Sequence, residues 1–336
     1  MKAVGYARSL PIEDPAALED IDIPEPQIGP RDLLVRVAAI SVNPVDVKVR
    51  VRMQPETGHK LLGYDAAGTV EAVGAEVTLF QPGDEVYYAG DIGRPGTNAE
   101  LHAVDERIVA KKPKSLDMAA AAALPLTAIT AWELLFDCFD LAEGGGAGES
   151  LLVIGGAGGV GSILVQLAKA LTGLQVIATA SRPETQAWCR EMGADLIIDH
   201  RQPIDAQLAA LGIAPRYIAA LTATDQHFDA IIEAIAPRGE IGLIDDPASL
   251  DITKIKPKAL SFHWEFMFAR SMFQASDMIA QHQLLARVAE LVDAGRVKTT
   301  LQRNLGPASA ATLRDAHRLQ ESGSAVGKTV LTGVGG

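Results

Sequence analysis

The sequence predicts an α/β protein in two parts, a β-rich block followed by a doubly wound parallel sheet with helices on both faces. Three observations carry that prediction. Roughly the first 115 residues read as short strands cut by turn chemistry, apolar strands alternate with helices from residue 150 onward, and a glycine-rich turn joins the first of those strands to its helix. A chain of 336 residues suits two domains. With 48% hydrophobic and 21% charged residues, its composition is that of an ordinary globular protein, not a disordered or fibrous one.

In the β-rich block, Leu33–Val37 reads as a strand, Gly68–Gly74 alternates apolar and other residues up to a glycine stop, and Val86–Tyr88 is a third strand. Between them Gln81-Pro82-Gly83-Asp84 is a turn, since proline presets φ and glycine supplies positive φ. The texture changes at Leu116. Ala119–Ala123 is a run of helix formers, and helical spacing continues over Thr127–Phe136.

Ser150–Ile154 is a buried strand, and a helix follows its glycine turn over about Val160–Ala170. Gln175–Thr179 is the next strand, Arg182–Met192 a helix stopped by Gly193, and Asp195–Asp199 a third strand. Tyr217–Leu221, Ile241–Ile244 and Phe262–Phe268 are three further candidates, giving parallel βαβ units. The tail reads as a long helix over Gln274–Gly295, then a short strand, a helix and a strand ending near Leu331.

Composition also excludes function classes. Thirty Lys and Arg against 42 Asp and Glu give a formal charge of −12, the wrong sign for a nucleic-acid or anionic-membrane binder. The N-terminus has no signal-peptide pattern, and Met118–Trp132, interrupted by Pro125, is too short to span a bilayer, so the expectation is a cytoplasmic protein. Two cysteines, Cys138 and Cys189, exclude a disulfide framework or a thiolate cluster.

The richest segment is Gly156-Ala157-Gly158-Gly159-Val160-Gly161, a G-x-G-x-x-G directly after an apolar strand and opening a helix. Glycines there serve a tight turn, close approach to a pyrophosphate and helix–strand contact, while the helix N-terminus favours the phosphates. An NAD site would place an acid some 20 residues on, at the end of the second strand. Here Ser181 and Arg182 stand instead, able to bond and neutralise a 2′-phosphate, with His200 and Arg201 beside them, so the expected cofactor is NADPH. Thr222 and Thr224, at the end of the fourth strand, are expected to face the ligand crevice of an open α/β sheet.

With these residues the chain resembles the medium-chain dehydrogenase/reductase superfamily. Gly63-Tyr64-Asp65-Ala66-Ala67-Gly68 and Gln81-Pro82-Gly83-Asp84-Glu85-Val86 look like its GroES-like catalytic domain. Asn43-Pro44-Val45-Asp46 and Leu124-Pro125-Leu126-Thr127 are similar to the quinone oxidoreductase branch. Ser261–Phe268 and Val326-Gly327-Lys328-Thr329-Val330-Leu331 look like a bacterial subgroup labelled zinc-type alcohol dehydrogenase-like. The resemblance implies a split catalytic domain, residues 1–126 and 272–336, around an inserted Rossmann domain over residues 127–271. It also implies Thr127 and Thr130 on the nicotinamide side.

In the zinc enzymes of this superfamily a cysteine and a histidine hold the metal, and the matching positions here are Asn43 and Tyr64. An amide and a phenol are poor Zn²⁺ partners, and His59 and His102 lack ligand spacing, so no metal is expected. Both cysteines read as small buried hydrophobes. Without a Lewis acid, hydride addition to a quinone or an α,β-unsaturated carbonyl is easier than alcohol oxidation. Tyr64 and Asn43 are then the candidate hydrogen-bond donors to the developing enolate, with Tyr64 free to protonate it, and Asp46 holds the loop. A zinc-type alcohol dehydrogenase and a catalytically silent NADPH-binding protein are the alternatives. The aromatic strand Phe262–Phe268 is an edge that a homodimer would cover.

Overall fold

The computed structural model describes residues 1–334 and divides the chain into two compact units, Met1–Ile129 with Phe268–Gly336, and Thr130–Met267. The first unit opens with strands β1 (Lys2–Tyr6), β2 (Glu19–Asp22) and β3 (Asp32–Val42), helix α1 (Pro44–Arg52), and strands β4 (Lys60–Leu61), β5 (Ala66–Val73), β6 (Glu85–Tyr88), β7 (Leu101–Asp105) and β8 (Val109–Lys111). Helix α2 (Met118–Ala122) and helix α3 (Pro125–Trp132), within which the division between units falls, come next. The second unit carries β9 (Ser150–Ile154), α4 (Gly159–Leu171), β10 (Gln175–Thr179), α5 (Pro183–Glu191), β11 (Leu196–Ile198), α6 (Ile204–Ala210), β12 (Tyr217–Ala220), α7 (Thr224–Ala234), β13 (Glu240–Leu243) and β14 (Ser261–Trp264). The tail, α8 (Ala269–Met272), α9 (Ala280–Asp293), β15 (Leu301–Ala308), α10 (Ala310–Glu321) and β16 (Lys328–Val334), returns to the first unit.

In that unit the main sheet runs β15-β16-β3-β5-β6-β8, with β7 also paired to β3. The tail joins the head through antiparallel pairing of β16 with β3, Thr329 opposite Val42 and Thr332 opposite Ala39. That junction brings Lys328 beside the start of α1. The second unit is one parallel sheet in the order β11-β10-β9-β12-β13-β14, reversing direction at β9, where an open α/β sheet leaves room for a ligand at its strand ends. Its central strands are buried on both faces: all five residues of β9 are buried, and Leu152, Ile177, Ile218 and Ile241 meet in one core.

Three expectations change. The strand expected over Phe262–Phe268 stops at Trp264, because β13 ends at Leu243, whose carbonyl takes the last ladder bond from Glu265 N. The helix expected from Gln274 starts at Ala280, since Gln274 sits in the left-handed region at φ 48° and breaks the run. Pro125 does not interrupt the apolar stretch. It opens α3 after the short turn at Ala123 and Leu124, so the largely helical apolar stretch Met118–Cys138 runs to 21 residues of mean hydropathy 1.5, long enough to cross a bilayer, but 83% of the apolar 18-residue span within it is buried inside the protein as in a core helix.

Candidate functional site

In the first unit the chemistry gathers around Tyr64 and Asp65. Asn43 precedes α1, Pro44 fits the first helical position with its preset φ, and Asp46 in the first turn accepts Asn43 N at 2.8 Å. The other oxygen of Asp46 accepts Gly63 N at 2.8 Å, so this carboxyl ties the start of α1 to the segment that carries Tyr64. Burial pushes Asp46 up to about 7, against the pull of these two N–H groups. Gly63 has φ +105°, and a Cβ there would meet Thr97 Oγ1 at 2.5 Å, so only glycine fits.

Tyr64 is fully buried, its ring edge-on to Phe268 at 5.3 Å, and its hydroxyl has no hydrogen-bond partner among the described residues. Burial first, then the nearby Asp46 carboxyl, push the phenol well above its usual range, so it stays protonated and keeps a hydrogen to donate. A backbone carbonyl partner, the ordinary arrangement for a buried tyrosine, is absent.

Asn43 takes a different part from the one expected. Its amide donates to Asp65 at 2.7 Å and to Ser41 O at 3.4 Å, and its carbonyl oxygen accepts the Lys328 ammonium. Both ends of the amide are consumed, so Asn43 is no donor to a substrate oxygen. It belongs to a buried network whose hub, Asp65, also accepts Leu126 N at 2.8 Å, Ser41 Oγ at 3.3 Å and Lys328 Nζ at 2.9 Å. Burial pushes the Asp65 carboxyl up while Lys328, Asn43 and Leu126 pull it down. Four converging donors are the environment of a carboxylate. Asp65 and Lys328 were read only as parts of motifs. The signal that could have found them is an Asp and a Lys at the very start of largely apolar strands, Asp65 just before β5 and Lys328 opening β16.

The loop after α1 and residues 93–95 border an open cavity of about 470 Å³ through Pro55, Thr57, His59, Gly93, Arg94 and Pro95. His59 pairs with Glu19 at 3.0 Å, and His102 is held between Tyr88 Oη at 3.2 Å and Pro95 O at 3.0 Å.

In the second unit the glycine turn divides its labour clearly. The left-handed residue is Gly155, φ +88°, one position before the motif, pinned by Thr179 Oγ1, which accepts Gly155 N at 3.0 Å. A Cβ on Gly156 would strike Ala178 Cβ at 2.7 Å, and one on Gly161 would strike Gly155 O at 2.4 Å, so these two glycines serve packing. Gly158, with only Gly155 O at 3.5 Å from its would-be Cβ, is the open approach at the N-terminus of α4. Ala157, Gly159 and Val160 complete that turn of backbone; Gly158 N is bonded to Gly155 O at 3.2 Å, and the N–H groups that follow it open α4, where a first turn has no intrahelical acceptors. The residues present therefore fit a dinucleotide pyrophosphate.

At the neighbouring strand ends Arg182 pairs with Glu184 at 3.0 Å, and Arg201 with Asp199 at 2.8 Å while also donating to Ser181 O at 2.7 Å. Arg201 holds Asp199 down at about 2. His200 lies between these arginines and is pushed down by burial, with Arg201 and Arg182 adding to the effect against Asp199. His227 on α7, which sequence reasoning missed, feels the charge of His200. Thr222 is exposed and packs its methyl where a Gly155 Cβ would lie, at 3.0 Å. Thr224 instead donates to Asp245 at 2.6 Å, so its hydroxyl is already engaged. On α3, Thr127 is buried and donates back to Leu124 O at 3.1 Å, and Thr130 is buried further along the same helix.

A β-rich unit interrupted in sequence by the parallel sheet β11-β10-β9-β12-β13-β14 has counterparts among known proteins. Residues 29–114 match the alcohol dehydrogenase GroES-like domain, and residues 192–331 match the zinc-binding dehydrogenase family. A zinc-type alcohol dehydrogenase-like protein of Staphylococcus aureus (strain COL) is 40% identical over 98% of this chain and 99% of its own length. The chain belongs to the medium-chain dehydrogenase/reductase superfamily. Within it, the relationships point to the quinone oxidoreductase-like branch. A 2-methylene-furan-3-one reductase of Solanum lycopersicum is 32% identical over 91% of this chain and 73% of its own. Among solved structures, a Rhizobium etli CFN 42 protein named after the zinc-dependent alcohol dehydrogenases superposes with TM-score 0.96 at 56% identity, covering 100% of this chain and 98% of that one. The quinone oxidoreductase of Coxiella burnetii gives TM-score 0.81 at 25% identity, covering 98% of both chains. This is a nicotinamide-dinucleotide-binding oxidoreductase fold.

Zinc, which several of these names carry, does not fit the residues that the resemblance to the zinc enzymes puts forward. Asn43 turns its oxygen to an ammonium, Tyr64 is a protonated phenol, and among the described residues no three His, Cys, Asp or Glu side chains come together to hold a metal. Neither cysteine joins a site. Cys189 is buried on α5, its thiol pushed up to about 11 by burial, whereas Cys138 is half-buried and not the core residue expected.

Proposed function

We propose that the protein is an NADPH-dependent, zinc-independent reductase that transfers hydride to a quinone or an α,β-unsaturated carbonyl. The observation that carries the reading is the Tyr64 hydroxyl, fully buried, unpartnered and kept protonated. Bound NADPH would supply the hydride. Tyr64 donates a hydrogen bond to the acceptor's carbonyl oxygen, where the electron pair arrives as hydride adds to the conjugated carbon. With its acidity suppressed, the phenol stabilises the enolate or hydroquinone anion without surrendering its proton, and water supplies the proton that completes the product. Arg182 and Arg201 favour a 2′-phosphate by charge, Ser181 and His200 offer it hydrogen bonds, and Gly158 leaves space for the pyrophosphate. The reductase names of related proteins agree with an electron-poor acceptor.

The same reading takes residues 1–126 and 272–336 as the catalytic domain, residues 127–271 as the nucleotide-binding domain, and a cytoplasmic homodimer as the working form. Support for the dimer is the edge position of β14 with Trp264 57% and Phe266 47% exposed. The deciding experiment is Tyr64→Phe assayed with NADPH against a panel of quinones and enones. Loss of one such donor lowers kcat on the order of 10²-fold with NADPH affinity unchanged. Unchanged turnover, or about one tightly held zinc per purified chain, would overturn the proposal.

A further inference from the structure

We propose that Lys328 is a positioning residue for this reaction, its captive ammonium fixing the segment that presents Tyr64. The inference rests on the reading of Tyr64 as the hydrogen-bond donor.

Lys328 is 2% exposed at the start of β16, an unusual place for a lysine. Its three N–H donors meet Asp65 Oδ2 at 2.9 Å, Val42 O at 3.3 Å and Asn43 Oδ1. The ammonium is thus fully satisfied, and the same holds for its counter-ion, which takes Leu126 N, Asn43 Nδ2 and Ser41 Oγ besides. Four segments remote in sequence meet at this pair: the end of β3 with the start of α1, the Gly63–Asp65 stretch, the start of α3, and β16. Tyr64 lies between two clamps. On one side Gly63 N is held by Asp46, and on the other Asp65 is held by Lys328. The phenol has no hydrogen bond of its own to hold it, so its placement comes from these neighbours and from the Phe268 ring.

Stability alone does not account for such a pair, because a well-packed apolar pair of similar volume is often as stable as a buried ion pair. What the charges add is directionality, a carboxylate that must face one fixed ammonium and so sets the backbone next to Tyr64. The cation also lies against the oxygen of residue 43, the position that matches the first metal ligand in the zinc enzymes of the superfamily. In this chain a side chain of the protein itself supplies the positive charge there.

The test is a double-mutant cycle on the full-length protein, Lys328→Met and Tyr64→Phe singly and together, with kcat and KM for one enone, NADPH affinity by fluorescence titration, and thermal melting recorded for each. Lys328→Met should lower kcat on the order of 10²-fold, as small displacements of reacting groups do, with NADPH affinity within about twofold of the parent. In the Tyr64→Phe background the same substitution should change kcat less than about twofold, because the group it positions is already gone. Should Lys328→Met not fold, Lys328→Met combined with Asp65→Asn removes both charges and serves the same comparison. Losses that multiply across the cycle, or a Lys328→Met enzyme with parental kcat, would overturn the inference while leaving the Tyr64 reading intact. A Tyr64→Phe enzyme with full turnover would overturn both.

Discussion

Gly158 and Gly161 belong to one motif, yet substituting each by alanine should break different things. In Gly161→Ala the new Cβ would stand 2.4 Å from Gly155 O and 2.7 Å from Gly156 Cα, below the 3.0 Å that real Cβ contacts respect, so backbone must move by about 0.6 Å. Both obstacles are main chain, and no flexible side-chain end can swing aside. Overpacking of this kind costs about 1–3 kcal/mol, offset by up to about 1 kcal/mol from alanine's better helix propensity. A net loss of about 1–2 kcal/mol should lower Tm by roughly 3–8 °C. In Gly158→Ala the Cβ meets only Gly155 O at 3.5 Å and φ is −72°, open to any residue, so the fold should lose about 0.5 kcal/mol from the cap alone. Its methyl, however, projects where a pyrophosphate would approach, and NADPH affinity should fall by about tenfold or more. Calorimetric melting of the free protein and isothermal titration with NADPH separate the two effects. The assignment of these glycines is wrong if Gly161→Ala melts with the parent, or if Gly158→Ala binds NADPH normally.

His317 and His102 are pushed down to about 3 and about 4 by burial, so the unfolded chain binds more protons below pH 6.5 and stability should fall on acidification through that window. At about pH 5 each costs about 2 kcal/mol, and His317→Gln should flatten the Tm–pH curve between about pH 7 and pH 5; an unchanged slope would refute this. A 2′-phosphate beside His200 would favour its protonated form, so NADPH should bind with proton uptake and weaken as pH rises from about 6 to 8, NADH should not, and titrations in buffers of different ionisation enthalpy will show whether the proton moves. Trp264→Lys places a charge on the exposed face of edge strand β14 and should yield monomers by light scattering at micromolar concentration, whereas a dimer of unchanged stability would place the contact elsewhere.

How much of this could be read from the amino-acid order depended on distance along the chain. Strands Ser150–Ile154 and Gln175–Thr179 have the bounds their apolar runs predict, because strands buried on both faces admit little else. The glycine motif is legible because its spacing repeats within one turn, although the neighbours that forbid a Cβ on Gly155 and Gly156 include the more distant Ala178, Cys189 and Thr222. Which glycine of the run takes the left-handed conformation is not legible from the pattern, and the structure gives it to Gly155. Asn43 misled for the opposite reason. Its partners lie 22 and 285 positions away, and nothing near Asn43 announces that both ends of its amide are taken. Lys328 carries the same difficulty, since a single lysine in a strand reads as an exposed residue until β16 is known to pair with β3.

The energetics of Tyr64 set it apart from the buried polar groups around it. Asp46, Asp65, Asn43 and Lys328 are each satisfied by neighbours at hydrogen-bonding distance, so their burial is compensated within the free protein. The Tyr64 hydroxyl is not, and an unmade bond of this sort costs about 1–3 kcal/mol. Phenylalanine would fill the same space without that cost, so hydrophobic packing against Phe268 does not explain the hydroxyl. A ligand oxygen that accepted its proton would recover the cost only in the complex. If that oxygen gains charge during the reaction, the recovery grows toward the transition state, which is the condition under which a binding interaction becomes a catalytic one. The structure holds an unsatisfied donor on a doubly clamped segment, and the clamps keep the phenol from turning to find a partner of its own.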